Sequence, residues 1–209
     1  MQIAILVFER ITALDAVGPY EVLSRLPDAD VRFVAPEIGP KRTDEGSLVL
    51  LAEDRLDDVP APDIVVVPGG VGEVDMRADE DVQDWLRSVH QTTRYTTSVC
   101  TGALVLEAAG LLRGKRATTH WLARDALARF GALPSDERMV VDGKIVTAAG
   151  VSSGIDMALW LVGDIAGTEQ AHAIQLMIEY DPQPPFDAGA PAKCSPALVE
   201  RLRASSRFS

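Results

Sequence analysis

The chain has 209 residues, 47% of them hydrophobic, and a formal net charge of −11. That is enough apolar matter for one substantial core, so one domain, or one domain with a small lobe, is expected. The acidic balance argues against a nucleic-acid surface, which needs clustered Lys and Arg, and disfavours an anionic membrane face.

In chain order, "QIAILVF" is a continuous apolar run and predicts a first strand buried on both faces. The start lacks the basic segment and small-residue cleavage site of a signal peptide. "ALDAVGPYEVLSRL" has helical periodicity, with Leu14, Val17, Val22, Leu23 and Leu26 on one face and Thr12 as a candidate cap. Gly18-Pro19 predicts an irregular first turn, because proline is best tolerated near a helix start. "DVRFVAP" and "SLVLLAE" read as strands, and Ile64 to Val67 as a buried strand running into Pro68-Gly69-Gly70. "DEDVQDWLRSVHQT" predicts an amphipathic helix with acids in its first turn, where the macrodipole favours them.

"RYTTSV" is the next strand, followed by Cys100 and a helix from about Thr101 to Ala109. "WLARDALARFG" reads as a helix closed by Gly131. Asp142-Gly143 between two β runs predicts a hairpin. "SSGIDMALWLVGDIAG" and "TEQAHAIQLMIEY" read as helices, "DPQPPFDAGAPAKC" as an extended segment, and "SPALVERLRA" as a last helix. No apolar run approaches the ~20 residues of a membrane span. Strands alternating with helices predict an α/β sandwich around a mainly parallel sheet, with ligands bound beyond the carboxyl ends of the strands.

Two cysteines, Cys100 and Cys194, are too few for a disulfide framework and predict a reduced cytoplasmic setting. Cys100 sits where a strand bends into a helix, the geometry that nucleophile elbows use. First-turn amides and the helix dipole then predict a thiol titrating well below the ordinary ~8.5. The competing reading is a buried structural cysteine, which is how Cys194, in its proline-rich segment, is read. Asp15 lies just past the first strand among apolar neighbours, so desolvation predicts a raised pKa and an available proton. Its alternative role is an ordinary acid in the first turn of a helix. Gly69-Gly70 offers backbone N–H groups to a developing anion, or is simply a tight turn. His90 and His172 fall within helical patterns, and spacing alone does not bring His120 to Cys100. No metal spacing, phosphate loop or dinucleotide fingerprint is present.

Five ordered blocks carry a resemblance: "LDAVGPYEVLSRLP", "DIVVVPGGVG", "SVCTGALVLEAAGLLRGKRATTHW", "DGKIVTAAGVSSGIDMALWLV" and "YDPQPPFDAGAP". Through them the chain resembles the DJ-1/PfpI superfamily, and within it the isonitrile hydratase branch. The resemblance runs through nearly the whole chain and implies one flavodoxin-like domain over 1–209, usually homodimeric. It implies Cys100 as nucleophile, Asp15 as acid/base, and Thr101 after the nucleophile where the peptidase branch has histidine. The backbone amides of Gly70 and Thr101 are then expected to line the site. It further implies a small-molecule substrate and no metal or organic cofactor. Relatives with an appended helix-turn-helix domain carry similar blocks, but no room for such a pair is expected between the last helix and Ser209. Open alternatives are a glyoxalase/deglycase-like or amidase-like activity of the same thiol, a cysteine redox sensor, and a ligand-binding regulatory domain.

Overall fold

A computed structural model describes residues 1–208. The strands are β1 (Gln2–Leu6), β2 (Asp30–Ala35), β3 (Gly39–Arg42), β4 (Val49–Ala52), β5 (Asp54–Arg55), β6 (Ile64–Val67), β7 (Tyr95–Val99), β8 (Arg116–Ala117), β9 (Leu133–Pro134), β10 (Met139–Asp142) and β11 (Ile145–Ala148). The helices are α1 (Ala13–Leu23), α2 (Glu73–Ala78), α3 (Glu80–Thr92), α4 (Gly102–Ala108), α5 (Arg124–Arg129), α6 (Ser153–Ala166), α7 (Thr168–Met177) and α8 (Pro196–Ala204). Among the described residues no helix is long and apolar enough to cross a membrane.

The central sheet has the order β10-β11-β7-β6-β1-β2-β5. All pairings are parallel except β10 with β11, which are joined through the expected Asp142-Gly143 turn. β1 and β6 are the centre of the sheet, and Ile3 to Leu6 and Ile64 to Val67 are fully buried, as their unbroken apolar runs require. Helices α1, α6 and α7 pack together, as do α2, α3, α4 and α5, and these two groups cover the two faces. Within the six parallel strands, the order β2-β1-β6-β7-β11 is flavodoxin-like. The chain leaves β1 toward β2 on one side, while β6 lies on the other, so the connections diverge above β1 and β6. That divergence opens a crevice at the carboxyl ends of the strands. Asp15, Gly69-Gly70 and Cys100 follow β1, β6 and β7 respectively, so all three stand around it.

Three local expectations are corrected. Pro19 lies inside α1, not at its start. The ring packs on Gly154 of α6, and burial of this tight helix pair offsets the hydrogen bond that proline cannot donate. Leu14 is 40% exposed, and the buried face of α1 is instead Asp15, Ala16, Gly18, Pro19, Val22 and Leu23. Thr12 makes no side-chain cap, because its hydroxyl is bonded to the Asp44 carboxylate. The short strand β3, which pairs antiparallel with β4 outside the main sheet, has no apolar pattern to announce it.

α4 crosses close above the end of β6. A Cβ built on Gly102 would lie 1.9 Å from the Val67 carbonyl oxygen and 2.7 Å from that of Pro68. Backbone atoms leave no flexible group to yield. Gly102→Ala is therefore expected to lower stability by at least the ~1–3 kcal/mol of an overpacked core. Urea denaturation checks this, and an unshifted midpoint would contradict the close approach.

Candidate active site

The bend after β7 places Cys100 in the left-handed region, with φ +57. Such a conformation is strained for a residue with a side chain and persists only when its surroundings hold it. Here the Cys100 N–H donates to the carbonyls of Ala148 (3.1 Å) and Ala149 (2.9 Å). Its carbonyl accepts from the Thr119 hydroxyl at 2.8 Å. The end of β11 on one side and the segment after β8 on the other thus fix the elbow. The side chain is directed into the crevice and buried, with 6% exposure. Backbone amides of Thr101 and Val151 act on the sulfur and favour its charged form. Val151 is itself in the left-handed region, at φ +36.

Asp15, in the first turn of α1, is fully buried. Its Oδ2 accepts from the Gly69 N–H at 2.9 Å. Its Oδ1 is buried and makes no hydrogen bond. Desolvation pushes the carboxyl from 3.8 up to about 7, against the pull of the Gly69 amide and the Cys100 thiol, while the nearby Asp44 charge adds to the rise. The cause is the one the sequence suggested. The thiol behaves otherwise. Burial, followed by the Asp15 charge, pushes Cys100 up, and the amides of Thr101 and Val151 oppose this without overcoming it. The expectation of a thiol titrating below its ordinary value is therefore overturned: dehydration and an adjacent acid outweigh the first turn of a seven-residue helix.

The Gly69 and Gly70 amides are already committed. Gly69 N–H binds Asp15, and Gly70 N–H donates to Thr101 Oγ1 at 3.1 Å. Their role is one of space and scaffolding. A Cβ on Gly69 would lie 2.5 Å from both the N and Oγ1 of Thr101. Gly70 has φ +132, and a Cβ there would meet Thr12 N at 2.4 Å. The amides that favour negative charge on the sulfur are those of Thr101 and Val151.

A cavity of about 230 Å³ opens onto Cys100 and Thr101, with Gly70, His120, Leu122 and Val151 among its walls. His120 thus reaches the site after all. Burial holds its pKa below the ordinary value, assisted by the Arg207 and Arg124 charges, and its Nδ1 accepts from Leu122 N–H at 3.3 Å. The segment after α8 completes the rim with Ser206, Arg207 and Phe208. Arg207 is pinned by the carbonyls of Gly70 (2.9 Å) and Val71 (3.1 Å) and by buried Glu73 at 3.0 Å. Cys194 lies apart, its thiol donating to the Ala188 carbonyl at 3.4 Å. His90 pairs with Thr96 on α3 and β7, and His172 lies on α7, so neither joins the cavity. Sequence reasoning missed Val151 and the Arg207 rim. A signal for Val151 existed: "AAGVSSGID" is a second strand-to-helix junction at the same sheet edge.

Comparison with known proteins agrees with this architecture. Residues 1–163 match the model of the DJ-1/PfpI family. The chain is 44% identical over 203 residues to a Pseudomonas putida protein named isonitrile hydratase, covering 97% of this chain and 89% of that protein. It is similar to the crystal structure of a THiJ/PfpI family protein from Pseudomonas syringae, with a TM-score of 0.91, 38% identity, and coverage of 96% of this chain and 83% of that one. The fold also matches Drosophila melanogaster DJ-1beta, with a TM-score of 0.78 at 21% identity, covering 85% of this chain and 97% of that one.

The raised carboxyl has a consequence for stability. Between pH 3.8 and about 7 the folded protein keeps a proton on Asp15 that the unfolded chain releases. Stability therefore falls as pH rises through that window. Asp15→Asn cannot ionise, so its stability relative to the wild type is expected to grow from pH ~4 to ~7, by as much as roughly 4 kcal/mol, and then level off. Denaturation at a series of pH values measures it. A constant difference across the window would contradict a neutral buried carboxyl.

Proposed function

The chain belongs to the DJ-1/PfpI family, and on that footing we propose that it is a cysteine-dependent enzyme that hydrates isonitriles, R–N≡C, to N-substituted formamides. The observation that carries this reading is the pairing at the crevice. A buried aspartic acid able to hold a proton near neutral pH stands beside a strained cysteine, and two backbone amides favour negative charge on its sulfur. The name carried by the Pseudomonas putida relative supports the same reaction.

Both groups are dehydrated, so the reactive species is the pair carrying one proton between them, not a free thiolate. In that state the sulfur attacks the terminal isonitrile carbon and the C–S bond forms. The thiol proton passes through Asp15 to the same carbon, giving a thioimidate, R–N=CH–S–Cys100. Asp15, now a carboxylate, takes a proton from water as its oxygen adds to that carbon, and the nitrogen accepts that proton. The tetrahedral adduct, R–NH–CH(OH)–S–Cys100, then collapses. The hydroxyl proton returns through the carboxylate to sulfur, the C–S bond breaks, and R–NH–CHO leaves. One carboxyl acts as base and acid in turn, near the pH at which such a group works best. The Thr101 and Val151 amides stabilise the sulfur whenever it carries negative charge.

Cys100→Ala is expected to abolish formamide formation from a simple isonitrile, followed by proton NMR of the formyl hydrogen. Asp15→Asn is expected to stay folded with turnover down by a factor on the order of 10²–10⁴, the usual worth of a positioned acid/base. Full hydration by Cys100→Ala ends the proposal, and methylglyoxal consumption in place of isonitrile hydration would point to a glyoxalase.

The pH profile gives a separate check. The one-proton state of the pair is formed as Asp15 ionises, so kcat/KM for an isonitrile should rise with pH through about 7 and then level. A profile already flat below that point would contradict the shared proton.

A further inference from the structure

A second cavity, of about 420 Å³, adjoins the thiol pocket and shares Leu122, Ser206 and Phe208 with it. Three arginines line it: Arg124 at the start of α5, Arg129 at its end, and Arg203 in the last turn of α8. Arg203 stacks over the Trp121 ring at 5.9 Å. Asp125 is the one acid in the lining. Many other arginines meet carboxylates, as in Arg10–Asp75, Arg116–Glu137 and Arg138–Asp156. Among the described residues, no carboxylate lies within ion-pair reach of Arg124, Arg129 or Arg203.

Last-turn positions suit a cation, which accounts for Arg129 and Arg203 singly. They do not account for two helices aiming three guanidinium groups at one cleft in a chain of net charge −11. Arg124 is at the wrong end of its helix for a cation, and its Nε is buried without a partner. Like charges gathered around a cavity, with a buried donor unfilled, match an oxyanion, which guanidinium forks bind in a bidentate way. The family match ends at residue 163, so Arg203 and Phe208 belong to a segment outside the part shared with the family at large, where specificity has room to vary.

We propose that Arg124, Arg129 and Arg203 form an anion subsite for the far end of the substrate, so that the preferred isonitrile bears a carboxylate or phosphate on its R group. The substrate assignment rests on the hydratase reading of the thiol pocket. The isonitrile carbon meets Cys100, the body of R passes Leu122 and Phe208, and the anionic end reaches the arginines.

The test compares kcat/KM for para-isocyanobenzoate and para-isocyanophenyl phosphate with that for phenyl isocyanide. The wild type should favour at least one anion by roughly tenfold or more, the worth of a charge-assisted hydrogen bond. An Arg124→Gln/Arg203→Gln double variant should bring that ratio close to one, mainly through KM. The Arg124→Lys/Arg203→Lys pair should keep part of it, which guards against a folding defect. Calorimetric titration with benzoate, against benzyl alcohol, reads the subsite without turnover and should lose its heat in the glutamine variant. Should no isonitrile be hydrated, the hydratase reading falls and the benzoate titration still decides the subsite. Equal kcat/KM for charged and neutral substrates in the wild type, or benzoate binding that survives the glutamine variant, would overturn it.

Discussion

The site depends on a carboxyl group kept dry. Asp15 has one oxygen on the Gly69 amide and the other buried without a hydrogen bond, and it stands against the Cys100 thiol. An isolated buried carboxylate is costly, so the group meets that cost by holding a proton up to about pH 7. The same dehydration keeps the sulfur protonated. Two groups that would titrate far apart in water are thereby coupled through one proton. A group that can both give and take that proton near neutrality is what hydration of a carbon–nitrogen multiple bond needs.

The fold produces this coupling through its topology. β1, β6 and β7 are neighbours in the sheet, and their outgoing connections supply the acid, the Gly69-Gly70 turn and the cysteine. Glycines let these turns approach within van der Waals distance. Thr101 ties two of them together through its hydrogen bonds with Gly70. A fourth strand-to-helix junction, after β11, brings the Val151 amide to the sulfur. Two non-glycine residues with positive φ, Cys100 and Val151, line the same cavity, so strain is concentrated where the chemistry is proposed.

Much of this was legible in the sequence because it is local. Unbroken apolar runs marked β1 and β6, Asp142-Gly143 marked the hairpin, and the position of Cys100 between a strand and a helix marked the elbow. Asp15 was legible as a carboxyl among apolar neighbours at the same sheet edge. What failed depended on partners distant in the chain. The sign of the thiol's shift turns on how completely the crevice excludes water and on an acid 85 positions away. The place of Pro19 inside α1 is not legible in the sequence, because its tolerance comes from packing on Gly154. The commitment of the Gly69 and Gly70 amides is not legible in the sequence, because their acceptors, Asp15 and Thr101, are assigned only by the fold. The Arg207 rim needs a buried Glu73 to hold it, and no spacing rule links residues so far apart.

The central claim is that Asp15 retains its proton at neutral pH because the crevice is dry. Infrared difference spectroscopy reads this directly through the C=O stretch of a protonated carboxyl group, with Asp15→Asn as the reference that removes the signals of other buried acids such as Glu73. The account predicts an Asp15 band that disappears with a midpoint of about pH 7. A band already gone near the ordinary 3.8 would show a hydrated, ionised carboxylate and contradict it.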